Sequence, residues 1–292
     1  MIQSSGFFSA ASRIPEQPEQ GLEQMYVSPE GHCILLKGYR NDRLVVYKAL
    51  KPEFRADPVF QRMLRREYEI GVSLKHPGVC ETLAWTTLPE YGCCIEMEYI
   101  DGCRLDEWLK VHSGDRKLCR KVVCDLCDAL SYIHRKQVIH KDLKPENILV
   151  TKYGSYPKII DFGLSDTDSV LTGKDPAGTW KYAAPEVRAC KAADARSDIY
   201  SLGILMSEMG PSFSRIARKC SAERPELRYQ SAEALLEDVV KGGRVSRQGM
   251  AAAVFLILAA VLCAGFFLWR SDPTEKLFLD AAEQVREAST LS

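Results

Sequence analysis

The segment VIHKDLKPENILV, residues 138–150, places charged and amide side chains at fixed intervals between two apolar runs. Two lysines, two acidic residues, a histidine and an asparagine interrupt a stretch that otherwise has the composition of buried strand. Buried charges are costly unless they are paired or bind a metal. The pattern therefore predicts a polar loop that is held in place by flanking strands.

A hairpin and a long irregular segment follow this loop. Residues 148–150 (ILV) and 158–160 (KII) flank the stretch TKYGSYP, a pattern that predicts two short strands ending at Asp161-Phe162-Gly163. Residues 164–186 are polar and irregular and close on GTWKYAAPE. Long irregular insertions inside compact domains are usually functional, so we expect a functional loop here.

The first part of the chain combines a strand pattern with one helix. Residues 26–50 place apolar pairs between turn signals and predict an antiparallel meander. Asp57-Pro58 then starts a helical pattern whose apolar face includes one carboxylate, Glu67. A carboxylate that faces a core needs a cationic partner. Lys48, which shares a strand face with aliphatic residues, is the candidate partner.

Composition limits the classes of function. With 292 residues the chain can bury a core in one large domain or two modest ones without disulfides. Lys plus Arg and Asp plus Glu each total 39, so no excess of positive charge favours a nucleic-acid partner. Eleven cysteines without framework spacing favour reduced thiols in the cytosol. Cys124 and Cys127 fall on a helical pattern, where burial explains them better than zinc or redox chemistry.

An uncharged segment lies near the C-terminus. Residues 250–269 carry no charge and would form about 30 Å of helix, which predicts a transmembrane helix. The positive-inside rule places residues 1–249 in the cytosol, and the tail after the span is either a short amphipathic helix or a frayed end. Three basic residues precede the span and one follows it directly: Lys241, Arg244, Arg247 and Arg270.

The polar residues form an ordered set that resembles the protein kinase family. The resemblance covers about residues 26–240 and implies a two-lobed α+β fold, with a small antiparallel sheet and one helix in the N-lobe and a mainly helical C-lobe. DLKPEN and the threonine of GTWKY are forms seen in serine/threonine kinases, which implies a protein substrate with a Ser or Thr acceptor. The set comprises Lys48, Glu67, HKDLKPEN at 140–147, DFG at 161–163 and APE at 184–186.

The resemblance implies a catalytic role for five side chains. Lys48 would bind the α- and β-phosphates of ATP, and Glu67 would orient it. Asp142 would accept the proton of the substrate hydroxyl or align that hydroxyl. Lys144 would stabilise the phosphoryl group during transfer, and Thr179 would interact with both Lys144 and Asp142.

The resemblance also implies metal and nucleotide contacts. Asn147 and Asp161 would hold Mg²⁺, which prefers hard oxygen ligands. Other positions would border the adenine or offer backbone groups to it and to the phosphates: Gly31, Cys33, Met97, Glu98 and Ile100.

Several positions depart from the family pattern. Tyr26 and Ser28 stand where two of three loop glycines are expected, so only Gly31 remains and the contact between backbone N–H groups and phosphate should loosen. Lys141 replaces an arginine and cannot form a bidentate contact with a phosphorylated loop. After residues 196–209 a helix present in relatives is missing.

The expected organisation has five parts: a flexible tail at 1–25, a kinase domain at 26–240, a basic linker at 241–249, a transmembrane helix at 250–269 and a short extracytoplasmic tail at 270–292. Within the kinase domain Glu186 and Arg228 match a pair expected to close the lower lobe. The expected function is that of a membrane-anchored serine/threonine kinase, similar to bacterial transmembrane kinases. A membrane-tethered pseudokinase and a kinase of small molecules or lipids remain alternatives, and the substrate, the activating signal and the oligomeric state stay undetermined.

Overall fold

A computed structural model describes residues 21–27, 31–163, 179–270 and 273–290 of the chain. Ser28 and residues 164–178 of the predicted functional loop lie outside the described residues. The chain divides into two compact units, Met1–Val239 and Val240–Ser292, and each is described by itself.

The first unit begins with a five-stranded antiparallel sheet in the order β1-β2-β3-β5-β4. The predicted meander is confirmed, although its first strand starts at Glu23, within the segment expected to be a flexible tail. Asn41 and Asp42 form the β2–β3 turn with φ of 48° and 58°, a left-handed geometry typical of two-residue hairpins. The strands are β1 Glu23–Val27, β2 Cys33–Arg40, β3 Arg43–Leu50, β4 Thr82–Leu88 and β5 Gly92–Glu98.

One helix, α1 (Pro58–Ser73), packs against this sheet. Its predicted start is confirmed, because the Asp57 carboxylate accepts a hydrogen bond of 2.7 Å from the backbone N–H of Val59 and so caps the helix. Near its end α1 approaches β4 closely, since a Cβ atom added at Gly71 would lie 2.2 Å from Oγ1 of Thr82. The helix is thereby held at a fixed distance from the sheet.

The second half of the first unit is mainly helical and surrounds one large apolar core. A small sheet of order β6-β7-β8 contains the predicted hairpin, which is confirmed. Cys127 is fully buried on α3 and Cys124 packs partly against the same core, as predicted from the helical pattern. The elements are β6 Gly102–Arg104, α2 Leu105–His112, α3 Arg116–Arg135, β7 Ile148–Thr151, β8 Pro157–Ile159, α4 Pro185–Arg188, α5 Ala195–Glu208 and α6 Ser214–Cys220.

The shortened connection that was predicted after residues 196–209 is confirmed between α5 and α6. Only a 3-10 turn, Pro211–Phe213, separates these helices after Gly210, whose φ is 116°. The two helices pack directly against each other, and a Cβ atom at Gly203 would lie 2.4 Å from Cβ of Cys220. The lower lobe therefore has only a short connection between α5 and α6.

Two helices continue to the C-terminus, α7 (Ala232–Arg270) and α8 (Pro273–Thr290). Across the residues that the structure describes, no helix combines the length and the apolar character needed to cross a membrane. The transmembrane helix expected at 250–269 is thus not found among these residues. Of the two alternatives for the tail, the helix is observed.

Candidate active site

Lys48 occupies the face of β3 that is turned toward α1. Its strand pairs Lys48 with Leu35 on one side and Ile95 on the other, which fixes the register of its side chain. Only 8% of the residue is exposed. The alternation seen in the sequence therefore buries a lysine among aliphatic neighbours, and its ammonium group needs anionic partners.

Two carboxylates meet this ammonium group. Its Nζ atom lies 2.7 Å from Oε1 of Glu67 on α1 and 2.9 Å from Oδ1 of Asp161, which follows β8. The predicted pairing of Lys48 with Glu67 is confirmed. The approach of Asp161 to the same nitrogen joins the sheet, the helix and the lower lobe at one point.

The surroundings shift the pKa values of Lys48, Asp161 and Glu67 in different ways. Burial alone would lower the pKa of Lys48, but Asp161 and Glu67 raise it well above its usual value. Burial opposes ionisation of Asp161 as well, yet Lys48 and the N–H of Gly163 hold the pKa of this carboxyl below its usual range. Burial raises the pKa of Glu67 to about 7, against the attraction of Lys48. Asp161 is therefore the more strongly ionised of the two carboxylates.

Asp161 has a left-handed backbone conformation, with φ of 64°. The N–H group of Gly163 donates a 3.1 Å hydrogen bond to Oδ1 of Asp161 and thereby stabilises this unusual turn. Because non-glycine residues rarely adopt positive φ, the strain marks a position that the surrounding structure holds for function.

The polar loop of the opening segment is organised around Asp142. Nδ2 of Asn147 donates to the backbone oxygen of Asp142 at 2.8 Å and to its Oδ2 atom at 2.9 Å. Nζ of Lys144 lies 2.8 Å from the same Oδ2 atom. Asp142, Lys144 and Asn147 thus form one cluster. Of the two strands expected to flank it, only the one after it is observed, β7 (Ile148–Thr151), because Val138 and Ile139 before the loop do not lie in a strand.

One buried aspartate holds the backbone of this loop and was missed in the sequence. Asp198 on α5 is fully buried and accepts 2.9 Å hydrogen bonds from the backbone N–H groups of His140 and Lys141. Nε2 of His134 lies 2.8 Å from the same carboxylate. Its signal was a carboxylate within the otherwise apolar helix DIYSLGILM, the same kind of signal that identified Glu67.

Burial raises the cost of a charge on Asp198, but the hydrogen bond and the charge of His134 outweigh it and lower the pKa of this carboxyl. The ionised carboxylate is the form that accepts from the loop N–H groups. Lys141 itself has φ of 65°, so this strained residue sits where Asp198 anchors the loop.

The residues predicted to border the nucleotide lie along the sheet. Cys33 starts β2 and is buried, and burial raises the pKa of its thiol to about 12. Met97 and Glu98 end β5. The backbone N–H of Glu98 donates a 2.9 Å hydrogen bond to the backbone oxygen of Glu81. Ile100 follows in the segment that leads into the lower lobe. The contacts of these residues with a nucleotide remain predictions.

The expected glycine-rich loop is described only in part. Tyr26 lies in β1 with an exposed side chain, and Gly31 precedes β2. The Thr179 backbone begins a short 3-10 helix, Thr179–Lys181, whereas its side chain lies outside the described residues. The phosphate contact of Gly31 and the loosening effect of Tyr26 therefore remain predictions.

The pair predicted to close the lower lobe is confirmed. Nη1 and Nη2 of Arg228 donate to the two carboxylate oxygens of Glu186 at 2.7 and 2.9 Å. The hydroxyl of Ser197 donates to the same carboxylate at 2.7 Å. This bidentate pair ties α4 to the chain segment that follows α6.

Asn147 and Asp161 offer oxygen atoms of the kind that Mg²⁺ prefers. Within the described ranges no group of three or more His, Cys, Asp or Glu side chains could enclose a metal ion. Magnesium in phosphoryl-transfer sites is commonly held by one or two protein ligands together with substrate phosphates, so an amide and an ionised carboxylate suit it. The residues therefore fit a magnesium ion that is completed by a nucleotide.

Comparison with known proteins agrees with this geometry. The sequence profile described as protein kinase domain matches residues 30–236. PknB, a serine/threonine-protein kinase of Mycolicibacterium smegmatis, is 29% identical over 252 residues, which cover 71% of this chain and 40% of PknB. A "probable serine/threonine-protein kinase" of Streptomyces coelicolor is 29% identical over 289 residues, covering 82% of this chain and 42% of that protein.

Solved structures show the same fold. The PknI kinase domain of Mycobacterium tuberculosis superposes with a TM-score of 0.59 at 20% identity, covering 78% of this chain and 98% of that domain. The chain spans about two fifths of the length of the curated relatives named above.

Proposed function

Because the chain belongs to the protein kinase domain family, we propose that it is a serine/threonine protein kinase that transfers the γ-phosphoryl group of ATP to protein hydroxyls. The observation that carries the proposal is the contact of Lys48 with both Glu67 and Asp161, at 2.7 and 2.9 Å. The groups that would bind phosphate and metal are assembled in one place.

Lys48 would bind the nucleotide phosphates. Glu67 holds the ammonium group of Lys48 through a 2.7 Å hydrogen bond, and this contact would orient the group toward the phosphates. The backbone groups of Glu98 and Ile100 would hold the adenine, with Cys33, Met97 and the backbone at Gly31 around the remainder of the nucleotide. Positioning of this kind supplies much of the rate enhancement in phosphoryl transfer.

Asn147 and Asp161 would hold magnesium. The ion supplies neutralisation of the negative charge that develops on the phosphates. Asp161 is suited to this role because its pKa lies below the usual range, which keeps it ionised at neutral pH. Asn147 is fixed by its two hydrogen bonds to Asp142, which leaves its amide oxygen for coordination.

Asp142 would orient the acceptor hydroxyl and take its proton. Lys144, 2.8 Å from Asp142, would stabilise the transferred group on the same side, and Thr179 would complete this arrangement from the activation segment. Asp198 would act indirectly, because it fixes the backbone that leads into Asp142. The chain would thereby hold nucleotide and acceptor in line.

The pseudokinase alternative is supported by the replacement of two loop glycines by Tyr26 and Ser28. The intact Lys48–Glu67–Asp161 contacts favour an active enzyme, since a scaffold has no physical need of them. The two functions differ in one observable, because a pseudokinase would bind ATP without transferring its γ-phosphoryl group.

Membrane attachment through residues 250–269, with the kinase domain in the cytoplasm, is a further part of the proposal. It is supported by the uncharged run in the sequence and by the basic residues that precede it. Apolar side chains along the described part of α7 are exposed, and such side chains need an apolar environment: Phe255, Leu256, Ile257, Leu258, Val261, Leu262 and Phe266.

An assay with γ-labelled ATP tests the proposed function. The full chain is incubated with Mg²⁺ and mixed protein acceptors, and in parallel with small hydroxyl compounds and lipids. We expect label on Ser and Thr of protein, lost in Lys48→Met. Label on the small acceptors alone would favour a small-molecule kinase, and ATP binding without any label would favour the pseudokinase.

A further inference from the structure

His32 occupies a special place in the connection between β1 and β2. It directly follows Gly31, the one glycine retained in the loop expected to contact phosphate, and directly precedes β2. Its backbone oxygen accepts a 2.9 Å hydrogen bond from the N–H of Lys51, just after β3. The base of this loop is therefore tied to the strand that carries Lys48.

Two phenylalanines hold the imidazole ring. The ring centroid lies 5.0 Å from that of Phe60 on α1 and 6.4 Å from that of Phe54, and the two phenylalanine rings are 4.6 Å apart. His32 is half-buried in this arrangement. These contacts hold the ring against the start of α1, the helix that carries Glu67, and against the turn that precedes it.

Two of the charged groups that act on His32, Lys48 and Asp161, belong to the candidate nucleotide site, and the third, Lys51, follows β3. Lys48 and Lys51 disfavour the imidazolium, whereas Asp161 favours it. Burial is the largest effect, and together with Lys48 it lowers the pKa of His32 below its ordinary value of 6.5. The ring is therefore mainly neutral at pH 7 in the free protein.

A bound triphosphate would reverse this balance. Its negative charges would lie near Lys48, within the group of charges that already acts on His32. A loop with side chains at Tyr26 and Ser28 offers its backbone N–H groups less readily, so a side-chain donor is needed more than in a glycine-rich loop.

We propose that His32 is a phosphate contact of the nucleotide site and takes up a proton from solvent when the triphosphate binds. The inference rests on the proposed binding of ATP and extends it to a residue type that is not part of the phosphate-binding motif. The imidazolium donates to a phosphate oxygen, and Phe54 and Phe60 keep the ring in position. ATP affinity consequently rises as the pH falls from 8 toward 6.

Calorimetry on the full chain tests this proposal. Binding of MgATP at pH 7 is measured in two buffers with different ionisation enthalpies, which gives the number of protons taken up. The variants are His32→Gln and His32→Phe, the second of which keeps a ring between Phe54 and Phe60. His112→Gln is the matched control, because His112 stacks on Trp108 with a centroid distance of 4.6 Å, outside the candidate site.

When MgATP binds at pH 7, the wild type and His112→Gln should each take up more protons per bound nucleotide than either His32 variant, by a measurable fraction of a proton. At pH 6 the variants should bind MgATP about five-fold more weakly than the wild type, with a smaller difference at pH 8. Adenosine, which has no phosphates, should show neither effect.

Equal proton uptake and equal pH dependence in the wild type and both His32 variants, with MgATP still bound, would overturn the role of His32 alone. Absence of MgATP binding in every form would contradict the proposed function and this inference with it.

Discussion

The Nζ atom of Lys48 lies 2.7 Å from Oε1 of Glu67, and this contact joins β3 to α1 in the interior of the N-lobe. Both side chains are more than nine-tenths buried, so neither charge can be left without the other at low cost. Helix α1 is thereby tied to β3, the strand that carries Lys48. Displacement of α1 would release Lys48 and disassemble the site.

Glu67→Gln should lower kcat/KM for phosphoryl transfer by about 100-fold, because the amide no longer fixes the charged lysine in the cleft. Steady-state kinetics with MgATP measures the effect. Glu69→Gln is the matched control, since Glu69 lies on the exposed face of the same helix and pairs with Arg65 at 3.3 Å. Equal losses in both variants would indicate a general effect on α1 instead.

Asp198→Asn should destabilise the first unit by about 3 kcal/mol at pH 7, because one buried acceptor of the loop N–H groups is lost. The folded-state pKa of Asp198 lies below its ordinary value of 3.8, so its contribution is present above that pH and is lost as the pH falls through the lower folded value. Urea unfolding from pH 7 to pH 3 measures both effects.

The difference in unfolding free energy between wild type and Asp198→Asn should therefore narrow below about pH 4. Asp128→Asn serves as the control, since this exposed carboxylate contacts His76 at 3.2 Å. A difference that stays constant down to pH 3 would contradict the assigned ionisation of Asp198.

Gly203→Ala should cost about 2 kcal/mol of stability, because the added Cβ atom would lie 2.4 Å from Cβ of Cys220 and would force α5 and α6 apart. Gly114→Ala, with no atom within 4 Å of the added Cβ, should change stability little. Thermal unfolding of both variants gives the comparison. Similar melting temperatures for the two variants would refute close packing at the shortened connection.

A cysteine placed at Ser289 should react with a membrane-impermeant thiol reagent in intact cells, whereas one at Ser246 should not. Cys263 and the other native cysteines are first replaced by serine or alanine, so that only the introduced thiol is labelled. Reverse labelling would place the kinase domain on the side that lacks ATP. Labelling of neither position in intact cells, with both labelled after lysis, would contradict the proposed membrane span.

The sequence was most informative where a charge interrupted an apolar pattern. Glu67 on a helical stripe and Lys48 on a strand face each required a partner, and the structure brings them together. Asp57-Pro58 likewise identified the start of α1, since a capping carboxylate and a proline are local signals. Short-range rules of this kind need no knowledge of the tertiary fold.

Contacts with backbone groups could not be predicted in the same way. Asp198 binds the N–H groups of His140 and Lys141, which lie 58 and 57 residues away, and no side-chain pattern reveals a backbone donor. The third contact of the site, from Asp161 to Lys48, depends on how the lower lobe places its hairpin. The start of β1 at Glu23 depends on pairing with Lys37 in β2.

Phosphoryl transfer by wild type and Asp142→Asn tests the central claim most directly. Both full-length proteins, purified identically, are incubated with MgATP, and phosphorylated Ser and Thr residues are counted by mass spectrometry. We predict autophosphorylation of the wild type and a loss of at least about 100-fold in Asp142→Asn, because the acceptor hydroxyl loses its base. Equal phosphorylation of the two proteins would contradict the assignment of this site as the centre of a protein kinase.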